Sequence, residues 1–430
     1  MPKEHVAKDL LLAFARGNLS VEARRSIIRH LLLCSGECRH LLRKVAASAE
    51  ASEGPDSRLP RDLVTPEMLA AERTDAVHLW HGTLEKLDSG HRLFLVRDNP
   101  RYHTWGVQEL LLDQSRALIS DDPLQSLDLC HLSLEVVHRL SLDRYRRADV
   151  ADLRGTTLAS ISNGKRLIGD LDGAVEAMDQ ALESLEWGTG DPLEEANVLS
   201  IYGSLLTDLG RIEEAMQVLG AGARDAREVG DTQLQAKLVL QQASSIGWYD
   251  PARGLVLTRK AQKLLVPGRS PNLDQVARYQ LIFLLCELGE VRQARSLFDS
   301  WRVSFRSQPC PAFWESRILR LEAALARQEG RLDLCESFLH DLLDHYAERG
   351  MHHDLALTTL DLAELLTVSR RFCEAQGLLD NILPLFRLWR VPSDVLRAWL
   401  MIEEGVKGRT LEAVSFREAS RLIRRSWYRT

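Results

Sequence analysis

From about residue 155 onward, one short phrase recurs: a turn residue, most often Gly, followed five positions later by a small side chain, with amphipathic helical stretches on both sides. The instances are Gly169/Ala174, Gly210/Ala215, Gly247/Ala252, Gly289/Ala294, Gly330/Cys335, Arg370/Ala375 and Gly408/Ala413. The small residues lie 41, 37, 42, 41, 40 and 38 positions apart. A fixed period of this size belongs to helix-pair repeats with helices longer than the minimal ~34-residue unit. One pair cannot bury its own apolar face, so the pattern predicts an all-α chain in which antiparallel helix pairs stack on their neighbours.

Each part of the phrase has a physical role. Gly closes the first helix, because a left-handed backbone costs it little. The small residue early in the second helix lets the two helix axes approach closely. Four positions further, on the same helical face, stand Met178, Leu219, Val256, Phe298, Leu339 and Leu379, all apolar as a buried inter-helix position requires. At the seventh unit Arg417 stands there instead, which fits a polar terminal cap.

These residues resemble the tetratricopeptide repeat, which has Gly at the end of its first helix and Ala early in its second. The resemblance covers about 155–430 and implies a right-handed superhelical solenoid whose first helices line a groove. It departs from the family pattern at Gly222, Arg259, Trp301, Leu342 and Ile382, where a second Ala is usual. Carried over position by position, the implied groove residues are Asn163, Arg166, Asn197, Lys237, Gln241, Tyr279, Arg317, Arg320 and Arg327. Ahead of the repeats, 67–150 reads as helical, with a degenerate repeat centred on Ser126 as one option. Residues 46–66 read as a small, polar, Pro- and Gly-broken linker.

Residues 1–45 read as a small helical hairpin. His30 and Cys34 are four apart and share a helical face, Cys38 follows, and His5 begins the other arm. Tetrahedral zinc takes four such nitrogen and thiolate ligands. The unit resembles the zinc-binding anti-sigma domain, whose pattern closes on His-x3-Cys-x2-Cys. Here Glu37 holds the last Cys place and Cys38 comes one residue late. The resemblance implies one structural zinc on His5, His30, Cys34 and Cys38. The alternative is a core thiol beside a half-buried histidine.

Composition narrows the function classes. With 61 acidic against 55 basic residues the net charge is -6, so no global field draws the chain to nucleic acid. No apolar run approaches the ~20 residues that span a bilayer, and the polar start carries no secretion signal, so a cytoplasmic protein is expected. The phosphate-binding, dinucleotide, nucleophile-elbow and zinc-protease motifs are all missing. A non-enzymatic scaffold of a bacterial regulatory pathway is therefore the expected function, with a protein or peptide in its groove. The alternative from the N-terminal resemblance is an anti-sigma-type regulator with a sigma factor as partner. Arg317, Arg320 and Arg327 share one helical face, which suits an acidic segment, whereas Glu315, Glu322 and Glu329 on the same helix are candidates to occupy those cations instead.

Overall fold

A computed structural model describes residues 6–15, 64–119, 122–266, 268–305, 312–349, 351–388, 391 and 393–410, together with positions 23, 27, 30, 38, 41, 416, 418–420 and 423. The described residues are helical throughout, with no strand among them. The chain divides into two compact units, Met1–Leu205 with Gly220–Gly230 and Leu206–Leu219 with Asp231–Thr430.

The first unit contains α1 (Lys8–Ala15), α2 (Pro66–Gly82), α3 (Ser89–Asp98), α4 (Trp105–Leu118), α5 (Pro123–Val137), α6 (Arg147–Leu167) and α7 (Leu171–Leu185). Helix α8 (Pro192–Asp208) begins in this unit. The helices start where the sequence supplies a side-chain acceptor. Thr65 accepts from the Met68 amide with Pro66 following, Asp122 from the Gln125 amide with Pro123 following, and Asp170 from the Gly173 amide. Each such cap satisfies an otherwise orphaned N–H and contributes about 1 kcal/mol.

Two antiparallel pairs are fixed by hydroxyl bonds at both ends. Between α4 and α5, Ser115 Oγ lies 2.8 Å from Ser126 Oγ, and Ser133 Oγ donates to the Gln108 carbonyl at 3.3 Å. Ser126 thus sits, fully buried, at the close approach of a helix pair in the segment 67–150. Between α6 and α7, Ser162 Oγ donates to the Ala174 carbonyl at 2.8 Å and Ser184 Oγ to that of Ala151 at 3.0 Å. Around Trp80, Val96, Leu111, Leu129, Val136 and Tyr145 runs a continuous apolar core. A buried Glu72 ties three elements together, 2.5 Å from Arg144 Nη2, accepting from Tyr145 Oη at 2.8 Å and from the Gly106 amide at 3.2 Å.

The second unit carries α9 (Ile212–Glu228) in part, then α10 (Thr232–Gly247), α11 (Pro251–Leu264), α12 (Pro271–Glu287), α13 (Val291–Phe305), α14 (Ala312–Gln328), α15 (Leu332–Glu348), α16 (His352–Val368), α17 (Phe372–Leu388) and α18 (Ser393–Lys407). The turns close as the phrase demands. Gly210, Gly289 and Gly330 take φ of 68°, 76° and 72°. The amide three places beyond the last helical residue bonds back into the last turn, as in Glu290 to Leu285 at 2.9 Å and Arg331 to Ala326 at 2.8 Å. Arg370 takes the same left-handed conformation at φ 60°, so the repeat keeps its geometry without the glycine. Ala294, Cys335 and Ala375 are buried, as are Phe298, Leu339 and Leu379 four places on.

Two instances of the phrase are placed differently. Gly247 lies within α10, and the turn before α11 is Trp248-Tyr249-Asp250, with Asp250 capping the Arg253 amide. Ala252 and Val256 are exposed, Val256 to 67%, while Gly254, Thr258 and Ala261 are buried. Gly254 is the small residue of that unit, since a Cβ on it would lie 3.0 Å from Gly247 Cα and 3.1 Å from Leu284 Cδ2. A two-residue shift on a helix turns the side chain by about 200°, which carried Ala252 and Val256 to solvent. In the last unit Arg409, not Gly408, is left-handed, at φ 53°, and Ala413 and Arg417 lie outside the described residues.

Candidate functional site

The expected groove residues fall in both units. In the first, Arg166 donates to Asn163 Oδ1 from Nε at 3.2 Å and Nη2 at 3.0 Å, both residues being half-buried on α6. Asn197 on α8 is exposed and donates to the Leu193 carbonyl at 3.0 Å. In the second unit Lys237 and Gln241 are half-buried, one turn apart on α10.

Around Tyr279 on α12 and the three arginines of α14 the second unit gathers aromatic and charged groups. Tyr279 stacks on Phe283 with ring centres 6.4 Å apart and meets Trp314 edge-on at 6.4 Å. Trp314 in turn meets Trp301 of α13 at 5.8 Å, and Trp301 Nε1 donates to Gln275 Oε1. Arg317 lays its guanidinium carbon 5.1 Å from the Trp314 ring centre and 5.5 Å from that of Tyr279. Cation–π contact of this kind holds a guanidinium flat against apolar surface. Burial pushes the Arg317 pKa below the usual arginine range, with the phenol of Tyr279 opposing and the like charge of Arg320 adding to the shift.

The stripe is not uniform. Arg320 Nη2 donates to Tyr346 Oη of α15 at 3.0 Å and to Asp354 Oδ1 of α16 at 3.1 Å. Arg327 Nη2 lies 2.5 Å from Glu364 Oε1 of α16, a carboxylate that is 3% exposed. Arg320 and Arg327 therefore bind α14 to the first helix of the next pair. Two of the three glutamates of the α14 region, Glu322 and Glu329, are engaged on the other side, and Glu315 is exposed. Glu322 pairs with Arg302 of α13, and Glu329 accepts from Arg295 Nε at 2.6 Å and Nη2 at 2.7 Å. Each of those glutamates stands two positions from an arginine of the stripe, hence on the opposite helix face.

Tyr346, Asp354 and Trp314 were not among the expected groove residues. Asp354 sits in the first turn of α16, where a carboxylate also suits the helix end.

In the N-terminal stretch, His30 Nε2 lies 3.3 Å from Cys38 Sγ. Two ligands on one tetrahedral zinc ion, with bonds of about 2.05 and 2.3 Å, stand roughly 3.5 Å apart, so this pair fits one edge of such a site. His5 and Cys34 lie outside the described residues. Among the described residues no group of three or more His, Cys, Asp or Glu is placed to hold a metal ion. No described helix is long and apolar enough to cross a membrane.

The architecture is that of an all-α protein of stacked helix pairs. Its fold is similar to the crystal structure of aspartyl phosphate phosphatase F from Bacillus subtilis, at a TM-score of 0.51 and 11% sequence identity over 96% of this chain and 97% of that one. No family model matches the chain, and no match is found among curated proteins.

Proposed function

We propose that the chain is a non-enzymatic cytoplasmic scaffold of a regulatory pathway, and that the first-helix face of the second unit holds a segment of a protein partner. The observation that carries this is the Arg317 guanidinium, half-buried between the rings of Tyr279 and Trp314 beside a second guanidinium. Trp314 is buried beneath the guanidinium, and the half-buried Tyr279 ring with the oriented cation upon it combines apolar area with charge, two ingredients of a binding hot spot. The cluster's own carboxylate, Asp354, is held by Arg320 rather than poised against a nucleophile. The Bacillus protein's name gives aspartyl phosphate as its substrate, and a shared fold at 11% identity does not extend that activity to this chain. A sigma factor is not favoured over any other protein partner by any described residue. The His30 and Cys38 pair supports a zinc site at the N-terminus, as a structural element separate from partner binding.

The test is charge reversal of Arg317. Reversing Arg320 and Arg327 would also break their ties to Asp354 and Glu364, so Arg317→Glu is the cleaner variant. Capture of the partner by the full chain should fall sharply while its circular dichroism stays that of the parent. Capture unchanged by a folded R317E protein removes this face from the site.

A further inference from the structure

The second-helix face of the second unit carries two stripes of opposite charge at matching heights. Helices α11, α13 and α15 each pack against the first helix of their own pair and that of the next, which leaves one side of each in solvent. Helix α11 contains no acidic residue, and Arg253, Arg259, Lys260 and Lys263 stand exposed on it. Helix α15 contains no Lys or Arg, and Asp333, Asp341, Asp344 and Glu348 stand exposed on it. Among the described residues none of these eight side chains takes part in a hydrogen bond or ion pair. A single charged stripe is an ordinary solvated face; the register of these two sets them apart. Lys260 and Lys263 lie six and nine positions beyond Gly254, the close-approach residue of their pair, and Asp341 and Asp344 lie six and nine beyond Cys335, which has the same role. On α13 those two heights, counted from Ala294, are held by Ser300 and Val303, both exposed, Val303 to 57%.

Second helices of successive pairs run parallel, so a two-fold axis along α13 keeps every height while it exchanges the two flanks. Helix α11 of one copy then faces α15 of the other, with Lys260 opposite Asp341 and Lys263 opposite Asp344, twice over by symmetry. Val303 meets its own counterpart at the axis. We propose that this face is a self-complementary docking surface for a second copy of the chain, held by the reciprocal Lys260–Asp341 and Lys263–Asp344 pairs. An unrelated acidic protein would satisfy α11 alone and leave the matching heights on α15 unused. Three helix strips about 21 to 26 Å long and about 10 Å wide give about 700 Å² per copy, slightly less than the ~800 Å² of a standard interface. Exposed ion pairs each add little, so the dimer is weak and sensitive to salt. With a net charge of -6, two copies repel overall, and association at low salt therefore needs local complementarity of this kind. The surface is separate from the first-helix face that holds Arg317, and the inference goes beyond the groove reading.

The experiment is sedimentation equilibrium of the full chain with reductant present, at low and at high salt, with circular dichroism as the folding control. The wild type should dimerise in the micromolar range at low salt, and its dissociation constant should rise at least about tenfold with added salt. Lys260→Glu with Lys263→Glu makes both flanks acidic, and Asp341→Lys with Asp344→Lys makes both basic. Each double variant alone should be monomeric. Mixed in equal amounts they should dimerise as the wild type does, because each then offers the flank the other lacks, whereas damage to the fold is not repaired by mixing. A wild type that stays monomeric at low salt overturns the proposal. So does a dimer that survives in either double variant, or a mixture that stays monomeric. A dimer lost only on reversal of the lysines would set α11 against some other acidic surface, and that result also refutes the pairing with α15.

Discussion

Gly254 is the strictest test of the helix register in the second unit. A Cβ at this position would meet Gly247 Cα at 3.0 Å, Leu284 Cδ2 at 3.1 Å and the Ala243 carbonyl oxygen at 3.4 Å, two of the three being backbone atoms that cannot swing away. Gly254→Leu places four carbons into a contact already closed between α10, α11 and α12. Overpacking of this kind costs about 1–3 kcal/mol, and backbone obstruction puts this site at the upper end. Replacing Gly in a helix returns about 0.8 kcal/mol of propensity, so the net loss is about 1–2 kcal/mol. For a unit of this size each kcal/mol moves the melting temperature by roughly 2–4 °C, giving an expected drop of about 2–8 °C. Ala252→Leu and Val256→Ala are the controls, since both positions are exposed and surface changes stay within about 0.5 kcal/mol. Thermal melts followed by far-UV circular dichroism compare the three. If G254L melts with the wild type while A252L loses several degrees, the close approach runs through Ala252 and not through Gly254.

The remaining predictions concern charge and metal. Burial, then the neighbouring carboxylates of Asp191 and Asp152, hold the Glu194 pKa above the usual carboxylate value of 4.5. A raised carboxylate pKa means that ionisation opposes folding above 4.5 and that stability is recovered as pH falls through the raised value. Glu194→Gln should therefore melt higher than the wild type at pH 7, with the gap closing toward pH 4; a gap that is absent at pH 7, or that widens in acid, contradicts the assignment. If His30 and Cys38 are ligands, the purified chain should contain about one zinc per molecule by elemental analysis, and Cys38→Ser should lose it with little change in total helix content. Metal-free native protein would leave the pair as a core contact.

Much of the architecture was legible because helix-pair repeats repeat their physics. The turn position, the small residue and the apolar residue four places on recur at Gly289/Ala294/Phe298 and Gly330/Cys335/Leu339, and the structure buries the second and third of each while giving the first a positive φ. Where the period broke, the sequence misled. Gly247 matched the phrase by letter, but it is needed inside α10 for the approach of Gly254 and Leu284, and the turn that follows is built from Asp250 and Pro251 without glycine. Glycine for a turn and glycine for close packing are the same letter serving different ends. The division into two units left no trace in composition, because α9 contributes to both and its sequence is continuous helix.

The cluster was half legible for a definable reason. Spacing along one helix identifies which side chains share a face, so Arg317, Arg320 and Arg327 were found together, but it does not say what stands opposite. The partners of Arg320 and Arg327 lie 34 and 37 positions downstream on α16, three to six residues short of the ~40-residue period. That shortfall follows from geometry. First helices of successive pairs run parallel, and a long side chain leans toward the N-terminus of its own helix, so it meets a residue about one turn before its register equivalent in the next pair. Read with this offset, opposite charges about 34–37 apart become a recognisable signal of inter-pair ties in a chain of this period. Arg317 departs from this rule, since its guanidinium lies over Tyr279 of the preceding pair. Spacing along α14 groups the three arginines, and what divides them are rings on neighbouring helices, Tyr279 of α12 under Arg317 and Tyr346 of α15 against Arg320, which no count along a single helix can reveal.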